Sequence, residues 1–222
     1  MIHVRNLALR TLSIPELILP PGSAALIGPN GSGKTTLLLV LAGILNPEQC
    51  CVRINGRSPG ECRIGFVSEY PDRNILFSRV SDEIASPLRF SRLPCDEISR
   101  NVEQALERAG LLHLKNRRIH TLSGGEKTLV ALLAATIRSP EVLILDEFDS
   151  HLDDRAVDAA DQVISMSGAA SVLRCTQNMD VASRSKTLVA LFNGRIRESG
   201  DPGEVFSALS KTCFIPFGWR AR

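Results

Sequence analysis

Alternating apolar and polar residues predict strands near the N-terminus. Residues 1–10 alternate in this way, as a half-buried strand does. The apolar segments ELIL and AALIG follow, separated by Pro20-Pro21-Gly22, which is typical of a turn between two strands. Residues 51–57 alternate again, and Asn55-Gly56 within them indicates a tight turn. Together these segments predict an antiparallel β layer at the N-terminus.

The apolar spacing becomes helical from about Ser81 to Gly110. SDEIASPLRF begins with a serine and an acidic first turn, which favours a helix start. A second helix is predicted after Pro94 and ends at Gly110, a suitable C-terminal cap. One face of that helix is apolar, with Ile98, Val102, Leu106 and Ala109.

Two later segments are apolar throughout, at residues 142–146 and 170–175. Such segments are typical of central parallel strands that are covered on both faces. An alanine-rich helix is predicted between them, from Arg155 to Met166, and residues 186–199 form a predicted hairpin around Asn193-Gly194. The pattern therefore predicts one α/β domain over residues 1–222. Its core spans about residues 1–69 and 123–222, and a helical insertion spans about residues 70–122.

Composition narrows the classes of partner. The chain has 222 residues, of which 44% are hydrophobic and 23% charged, as in ordinary globular proteins. A net charge of +2 gives no reason to expect nucleic acid as a partner. The six cysteines show no metal-binding spacing, so we expect reduced thiols of a cytosolic protein. The longest apolar segment, residues 37–45, is too short to span a bilayer, so any membrane role is expected to come through a partner.

GPNGSGKT, at residues 28–35, has the pattern of a phosphate-binding loop between a strand and a helix. Its glycines allow several backbone N–H groups to point at phosphate oxygens, and the following helix N-terminus adds a partial positive charge. Lys34 would reach the β and γ phosphates, and the hydroxyl of Thr35 would bind Mg²⁺. The predicted nucleotide-binding residues here are Gly28, Pro29, Asn30, Gly31, Ser32, Gly33, Lys34, Thr35 and Thr36.

VLILDE, at residues 142–147, provides two carboxylates at the end of a predicted buried strand. Asp146 would hold Mg²⁺ or its water ligands, and Glu147 would orient and activate an attacking water. Alone, the motif is also typical of a solvated strand end. In combination with the phosphate loop, it predicts a hydrolytic nucleotide site with Glu147 and Lys34 as catalytic residues.

LSGGE, at residues 122–126, completes a set of ordered motifs that resembles ABC-type ATPases over nearly the whole chain. The resemblance implies a P-loop NTPase core with a mostly parallel central sheet, the N-terminal antiparallel β layer and an inserted α-helical subdomain. It also implies ATP and Mg²⁺ as ligands and a dimer of like or unlike ATPase subunits. In such a dimer, Ser123, Gly124 and Gly125 of one subunit close over ATP held by the other.

Residues 148–153 carry two further differences from the family pattern. SHLD resembles the loop that communicates between the two ATP sites, with Asp153 in the matching position. His151 replaces a small residue and is expected at the surface rather than as a ligand. Phe148 stands where a proline is common.

FVSEYPDRNILFSRVSDEIASPL, at residues 66–88, resembles the ATPases of energy-coupling factor (ECF) transporters, which import vitamins or ions such as cobalt and nickel. This resemblance implies an integral-membrane partner, a place at the cytoplasmic face of the membrane and no nucleic acid. A coupling helix of that partner would dock between the helical insertion and the core, on residues 76–88.

The nucleotide site departs from the family at three positions. Glu69 replaces a glutamine that touches Mg²⁺; we expect Mg²⁺ binding to persist and nucleotide affinity to fall, because a carboxylate is the better ligand but adds negative charge. Residues 10–15 contain no aromatic side chain that could stack on adenine, so base selectivity is expected to be loose. The guanidinium of Arg10 could stack there instead, although an exposed strand-end role is the alternative.

Gln177 replaces a histidine that hydrogen-bonds the γ-phosphate, and it is the third predicted catalytic residue. An amide donates a neutral hydrogen bond, which is weaker than the charge-assisted bond of an imidazolium. We expect a rate loss on the order of tenfold.

The sequence therefore predicts a slow ATPase subunit that couples ATP hydrolysis to import by an ABC/ECF-type transporter. The alternative is an ATP-binding module that hydrolyses poorly, as the degenerate half of a heterodimer. A soluble ABC protein of repair or translation is a third hypothesis, which no coiled-coil insertion, zinc pair or basic arm supports. The aromatic C-terminal tail, with Phe214, Phe217 and Trp219, either packs on a partner or is loosely ordered.

Overall fold

The structure is a computed structural model that describes residues 1–150 and 152–217. The predictions for His151 and Trp219 lie outside the described residues. The strands are β1 (Ile2–Leu9), β2 (Leu12–Leu19), β3 (Gly22–Ile27), β4 (Cys51–Ile54), β5 (Ile64–Val67), β6 (Val142–Asp146), β7 (Ser171–Cys175), β8 (Thr187–Phe192) and β9 (Arg195–Gly200). The helices are α1 (Lys34–Leu41), α2 (Val80–Phe90), α3 (Cys95–Arg108), α4 (Gly124–Thr136), α5 (Asp154–Met166), α6 (Met179–Ala182) and α7 (Pro202–Ala208).

The predicted N-terminal layer is a three-stranded antiparallel sheet in the order β2-β1-β4. Val4 lies opposite Leu17 on one side and Val52 on the other, and all three are buried. Asn55 and Gly56 both have positive φ in the turn after β4, as the tight-turn signal predicted.

AALIG does not belong to that layer, so this part of the prediction is wrong. β3 pairs in parallel with β7 on one side and with β8 on the other. Its last residues are all buried, because a central strand is covered on both faces. Pro20-Pro21 therefore marks the point where the chain leaves one sheet for the other.

The second sheet has six strands in the order β5-β6-β7-β3-β8-β9. β8 and β9 form the predicted antiparallel hairpin around Asn193-Gly194. β3 and β7 run in parallel as neighbours, so the phosphate loop after β3 and the segment after β7 leave the sheet at the same edge. The predicted α/β fold with a mostly parallel central sheet is confirmed.

The chain forms two compact units. The first comprises Met1–Cys62, Ile144–Glu147 and the residues from Ala170 onward. In it, α6, α7, β3 and β8 contribute to one apolar cluster, which includes Ile27, Leu188 and Phe206. Phe214 of the C-terminal segment packs edge-to-face on Phe192, with ring centroids 5.2 Å apart.

The second unit comprises Arg63–Leu143 and Phe148–Ala169. In it, α2, α3, α4 and α5 pack on one another and bury residues such as Ile84 and Leu106. Phe148 is buried as well. The helices predicted between Ser81 and Gly110 and from Arg155 to Met166 lie here, and the division of the chain at about residues 70 and 122 stays a prediction. No helix in the described part of the chain has both the length and the apolar character needed to cross a bilayer.

Candidate nucleotide site

The phosphate loop adopts a backbone that only glycine tolerates at two of its positions. Gly28 and Gly33 both have positive φ, at 147° and 101°. A Cβ atom on Gly28 would collide with the carbonyl oxygen of Leu191, and one on Gly33 would lie 2.6 Å from Cδ2 of Leu12. The loop is therefore both curled and closely seated on its neighbours, which leaves no room for side chains on its floor.

Helix α1 begins directly after this loop and lacks a side-chain cap. Its N-cap position is Gly33, which has no side chain that could accept from the first-turn N–H groups. Uncapped N–H groups and the helix dipole together favour an anion at this end.

Ser32 gives an independent indication that the loop binds a polar ligand. Its side chain is 2% exposed, and Oγ has no hydrogen-bond partner among the described residues. Leaving a buried hydroxyl unsatisfied costs about 1–3 kcal/mol, so such groups are rare without a reason. The orphaned hydroxyl, the glycine floor and the uncapped helix fit a nucleotide phosphate chain.

Lys34 bends back over the loop and is only 5% exposed. Its Nζ donates to the carbonyl oxygens of Gly28, at 3.0 Å, and Pro29, at 3.2 Å. It also forms an ion pair with Oε1 of Glu147 at 3.3 Å. The structure thus brings two of the predicted catalytic residues, Lys34 and Glu147, into direct contact.

Glu147 follows β6 with φ at 44°, which is unusual for a residue with a side chain. Its N–H donates to the carbonyl oxygen of Cys175 at 3.1 Å, which holds it against the end of β7. Such backbone conformations cost about 1–3 kcal/mol and cluster at functional sites. The strained residue is therefore the one whose carboxylate faces Lys34.

Gln177 is the other main partner of Glu147. Its Nε2 donates to Oε2 of Glu147 at 2.7 Å and to Oδ1 of Asn30 at 3.2 Å. The residue after it, Asn178, caps α6 by accepting from the N–H groups of Asp180 and Val181. The structure therefore joins Asn30, Lys34, Glu147 and Gln177 in one network.

Cys175 also belongs to this network, although the sequence analysis did not assign it. Burial raises the pKa of its thiol well above the usual range, and the neighbouring Asp146 carboxylate raises it further. The protonated Sγ donates to Oε1 of Glu147 at 3.7 Å. No sequence signal marks Cys175, because it is simply the last residue of an apolar strand.

The LSGGE motif forms the start of α4. Oγ of Ser123 accepts from the N–H of Glu126 at 3.2 Å, and the Glu126 carboxylate accepts from the N–H of Ser123 at 2.7 Å, which makes a capping box. A Cβ atom on Gly124 would meet nothing within 4 Å, and one on Gly125 would make ordinary contacts with Ala156 and Leu152. The fold of the chain itself therefore does not require glycine at either position.

Comparison with known proteins agrees with these features. A family model described as ABC transporter matches residues 16–150, which is more than half of the chain. The chain belongs to the ABC transporter family.

Curated relatives within this family are ATP-binding proteins. The energy-coupling factor transporter ATP-binding protein EcfA1 of Lacticaseibacillus paracasei is 34% identical over 193 residues, which cover 82% of this chain and 69% of that protein. The protein of the same name from Enterococcus faecalis is 32% identical over 194 residues, which cover 83% of this chain and 70% of that protein. The predicted family and its ECF-like character are confirmed.

A solved structure matches the fold over almost the whole chain. It is that of CbiO1 from Clostridium perfringens, described as part of the ABC transporter complex CbiONQ. The TM-score is 0.80 at 27% identity, and the match covers 93% of this chain and 90% of that one.

The predicted metal ligands of this ABC family chain are Thr35, Asp146 and Glu69. Thr35 lies in the first turn of α1, and Asp146 is 4% exposed at the end of β6. Glu69 is half-buried after β5. Among the described residues, no group of three or more His, Cys, Asp or Glu side chains could hold a metal ion. Mg²⁺ bound to a nucleotide needs only one or two protein carboxylates, so the ligand set stays a prediction.

Two other acidic residues of this ABC family chain have structural partners. Asp153 caps α5 by accepting from the N–H of Ala156 at 2.8 Å. Glu83 of α2 is 5% exposed, and its Oε2 accepts from the N–H groups of Leu76 and Phe77 at 2.9 and 2.8 Å. Glu83 therefore fixes the loop before α2, a function that the sequence analysis missed.

Proposed function

We propose that the chain is the ATP-hydrolysing subunit of an ECF-type importer, at the cytoplasmic face of a membrane. The ECF names of its relatives support the class of transporter. The observation that carries the hydrolytic part is the Glu147 carboxylate, which is held 3.3 Å from Lys34 beside the phosphate loop. A carboxylate that is paired with Lys34 and carried on a backbone with positive φ favours a catalytic role at this position.

The residues present can perform phosphoryl transfer to water. Backbone N–H groups of the loop and of the first turn of α1 would bind the phosphates, together with Lys34. Thr35 and Asp146 would hold Mg²⁺, and the ion would neutralise charge on the phosphates. Glu147 would orient the attacking water and accept its proton.

The contacts of Lys34 indicate how binding would prepare Glu147. Without nucleotide, its ammonium group is shared between two carbonyl oxygens and Oε1 of Glu147. Phosphate oxygens carry more negative charge than carbonyl oxygens and would attract the ammonium group more strongly. Moving Lys34 to the phosphates would release Oε1 of Glu147 from the ion pair, so that Oε1 could also accept from the attacking water.

The start of α4 supports an ATP-dependent dimer. Glycine at a helical position costs about 0.5–1 kcal/mol relative to alanine, and the fold has room for alanine at Gly124. A bare backbone at a helix N-terminus is therefore best explained by the close approach of an external anion. In the proposed dimer, Ser123, Gly124 and Gly125 close over the ATP of a second ATPase subunit.

Exposed apolar residues on α2 and on the segment before it support docking of a membrane subunit. Leu76 and Phe90 are both 76% exposed, which is a high exposure for large apolar side chains. Glu83 holds the backbone under Leu76 through two hydrogen bonds. We propose that an apolar helix of an integral-membrane subunit contacts residues 76–88. A charge reversal within residues 76–88 that left transport intact would contradict this docking site.

Steady-state ATP turnover tests the proposal. The purified chain is measured beside Glu147→Gln, alone and with its transporter subunits. Turnover that Glu147→Gln abolishes is expected, because the amide cannot accept the proton of the water. Equal rates for both proteins, alone and in the complex, would contradict an active ATPase.

That outcome would favour the second candidate, an ATP-binding module that hydrolyses poorly. The observation in its favour is Gln177, an uncharged side chain at a position that touches Glu147. Binding of ATP by Glu147→Gln and by the unmodified chain with equal affinity and equal persistence would identify such a module.

A further inference from the structure

Gln177 has both of its side-chain N–H groups engaged. Nε2 donates to Oε2 of Glu147 at 2.7 Å and to Oδ1 of Asn30 at 3.2 Å. An ionised carboxylate only accepts hydrogen bonds, so the nitrogen of the amide, and not its oxygen, must face Glu147. An amide nitrogen carries two hydrogens, and these two bonds use both. The free part of the side chain is an acceptor oxygen, which cannot bond a phosphate oxygen.

We propose that Gln177 is a positioning residue for Glu147 and not a phosphate ligand. Its amide ties the Glu147 carboxylate to Asn30 of the phosphate loop. The inference rests on the proposed function, because it takes Glu147 as the general base. It replaces the γ-phosphate contact that the sequence predicts for Gln177.

The backbone on both sides of Gln177 is fixed, as a positioning residue requires. The N–H of Thr176 donates to the carbonyl oxygen of Leu26 at 3.3 Å, and Thr176 is 2% exposed. The N–H of Asn178 donates to Oγ1 of Thr176 at 3.0 Å, and the Asn178 side chain caps α6. Gln177 therefore reaches Glu147 from a rigid turn between β7 and α6.

The two oxygens of Glu147 are held from different directions. Oε1 receives Lys34 and the thiol of Cys175, whereas Oε2 receives Gln177. Moving Lys34 to a phosphate chain would leave the bonds from Cys175 and Gln177 in place. These two bonds would then fix the plane of the carboxylate while Oε1 faces the attacking water.

A neutral amide suits this task in two ways. It holds the carboxylate through a neutral hydrogen bond and places no additional charge beside it. It also has no ionisation near neutral pH, whereas a histidine would change its charge there. The two donors of Gln177 are therefore the same at every pH near neutrality.

The first test is Gln177→Met, which keeps the length of the side chain and removes both donors. The expected result is a fall in kcat on the order of tenfold with KM for ATP changed by less than about twofold, because orientation and not binding is lost. Gln104→Met, the same change at an exposed position of α3, is the matched control. An unchanged kcat in Gln177→Met would overturn the inference.

A pH profile of Gln177→Glu separates positioning from a merely structural role. The new carboxyl group has nearly the same shape but donates a hydrogen bond only when it is protonated. The rate of this variant, relative to the unmodified chain, is expected to rise as the pH falls from about 8 to about 6, because the neighbouring Glu147 charge raises the pKa of the introduced carboxyl. A constant ratio across this range would contradict the inference.

Binding and structure give readouts that do not depend on turnover. In Glu147→Gln, adding Gln177→Met should leave the ratio of ATP to ADP affinity unchanged, as measured by calorimetry. A loss of ATP preference on the order of tenfold would make Gln177 a γ-phosphate ligand and overturn the inference. Failure of the proposed function is separate: it would show as a lack of turnover in the unmodified chain. In that case, crystal structures of the unmodified chain and of Gln177→Met without nucleotide still test the positioning of Glu147. A Glu147 carboxylate in the same place in both structures would overturn the inference.

Discussion

Single residues of the site owe their properties to the ends of neighbouring strands. Cys175 ends β7, where it meets both Asp146 and Glu147. Its thiol pKa is raised by burial first and by the Asp146 carboxylate second, so the thiolate fraction at any given pH is lower than in an exposed cysteine. Because the thiolate is the nucleophile, we expect Cys175 to be less reactive than the exposed cysteines.

Alkylation followed by mass spectrometry measures this directly. At about pH 8, Cys175 should react at least on the order of a hundredfold more slowly than the exposed Cys51, Cys95 and Cys213. In denaturant, all cysteines should react at similar rates, which serves as the control. Comparable rates for Cys175 and Cys95 in the folded chain would show that the thiol is neither buried nor protonated as described.

Residues in local motifs could be predicted from the sequence, whereas the contacts between distant residues could not. Lys34 and Glu147 were found because each lies within a few residues of a strand end in a defined motif. Cys175 contacts Glu147 across 28 positions of the chain, so only tertiary packing brings them together. The bond between Gln177 and Asn30 spans 147 positions for the same reason.

At the scale of secondary-structure elements, the start of α4 combines a strong cap with two glycines. Gly124 has ordinary helical geometry and open space where the methyl group of an alanine would lie, and Gly110 has the same open space but φ at 69°. The two residues therefore differ in backbone conformation alone. Alanine should be favourable at the first and unfavourable at the second.

Urea unfolding and light scattering test the two roles of Gly124 together. Gly124→Ala should raise the free energy of unfolding by about 0.5 kcal/mol, whereas Gly110→Ala should lower it by about 1 kcal/mol. In Glu147→Gln with ATP, a dimer is expected, and Gly124→Ala should weaken it because a methyl group would keep the nucleotide from the helix N-terminus. A stable dimer in Gly124→Ala would show that no anion approaches there.

Helices and strands were predicted more reliably than the pairing of strands. The apolar periodicity of α3 and the turn at Asn193-Gly194 act within a few residues, so they are visible in the sequence. The sheet to which β3 belongs depends instead on β7 and β8, which come much later in the chain. The prediction that placed AALIG in the antiparallel layer failed for this reason.

At the scale of the whole molecule, the residues proposed for nucleotide hydrolysis and those proposed for coupling belong to different compact units. Lys34, Glu147 and Gln177 lie in the first compact unit, whereas Glu83 and the exposed Leu76 lie in the second. Replacing Glu83 should therefore affect coupling to a membrane subunit without removing the hydrolytic residues. Glu83 is suited to this test because it is buried and has two defined backbone partners.

Glu83→Ala should lower transport in reconstituted vesicles on the order of tenfold and leave the ATP turnover of the isolated chain within about twofold. The N–H groups of Leu76 and Phe77 would lose their acceptor, which costs about 1–3 kcal/mol and frees the loop that presents Leu76. Glu103→Ala is the matched control, because Glu103 is an exposed acidic residue outside the proposed docking segment and pairs with Lys115 at 3.2 Å. Such surface pairs contribute about 0–1 kcal/mol, so transport should persist. Equal loss of transport in both variants would show that the loop does not act in coupling. Loss of ATP turnover by the isolated Glu83→Ala chain would show the same.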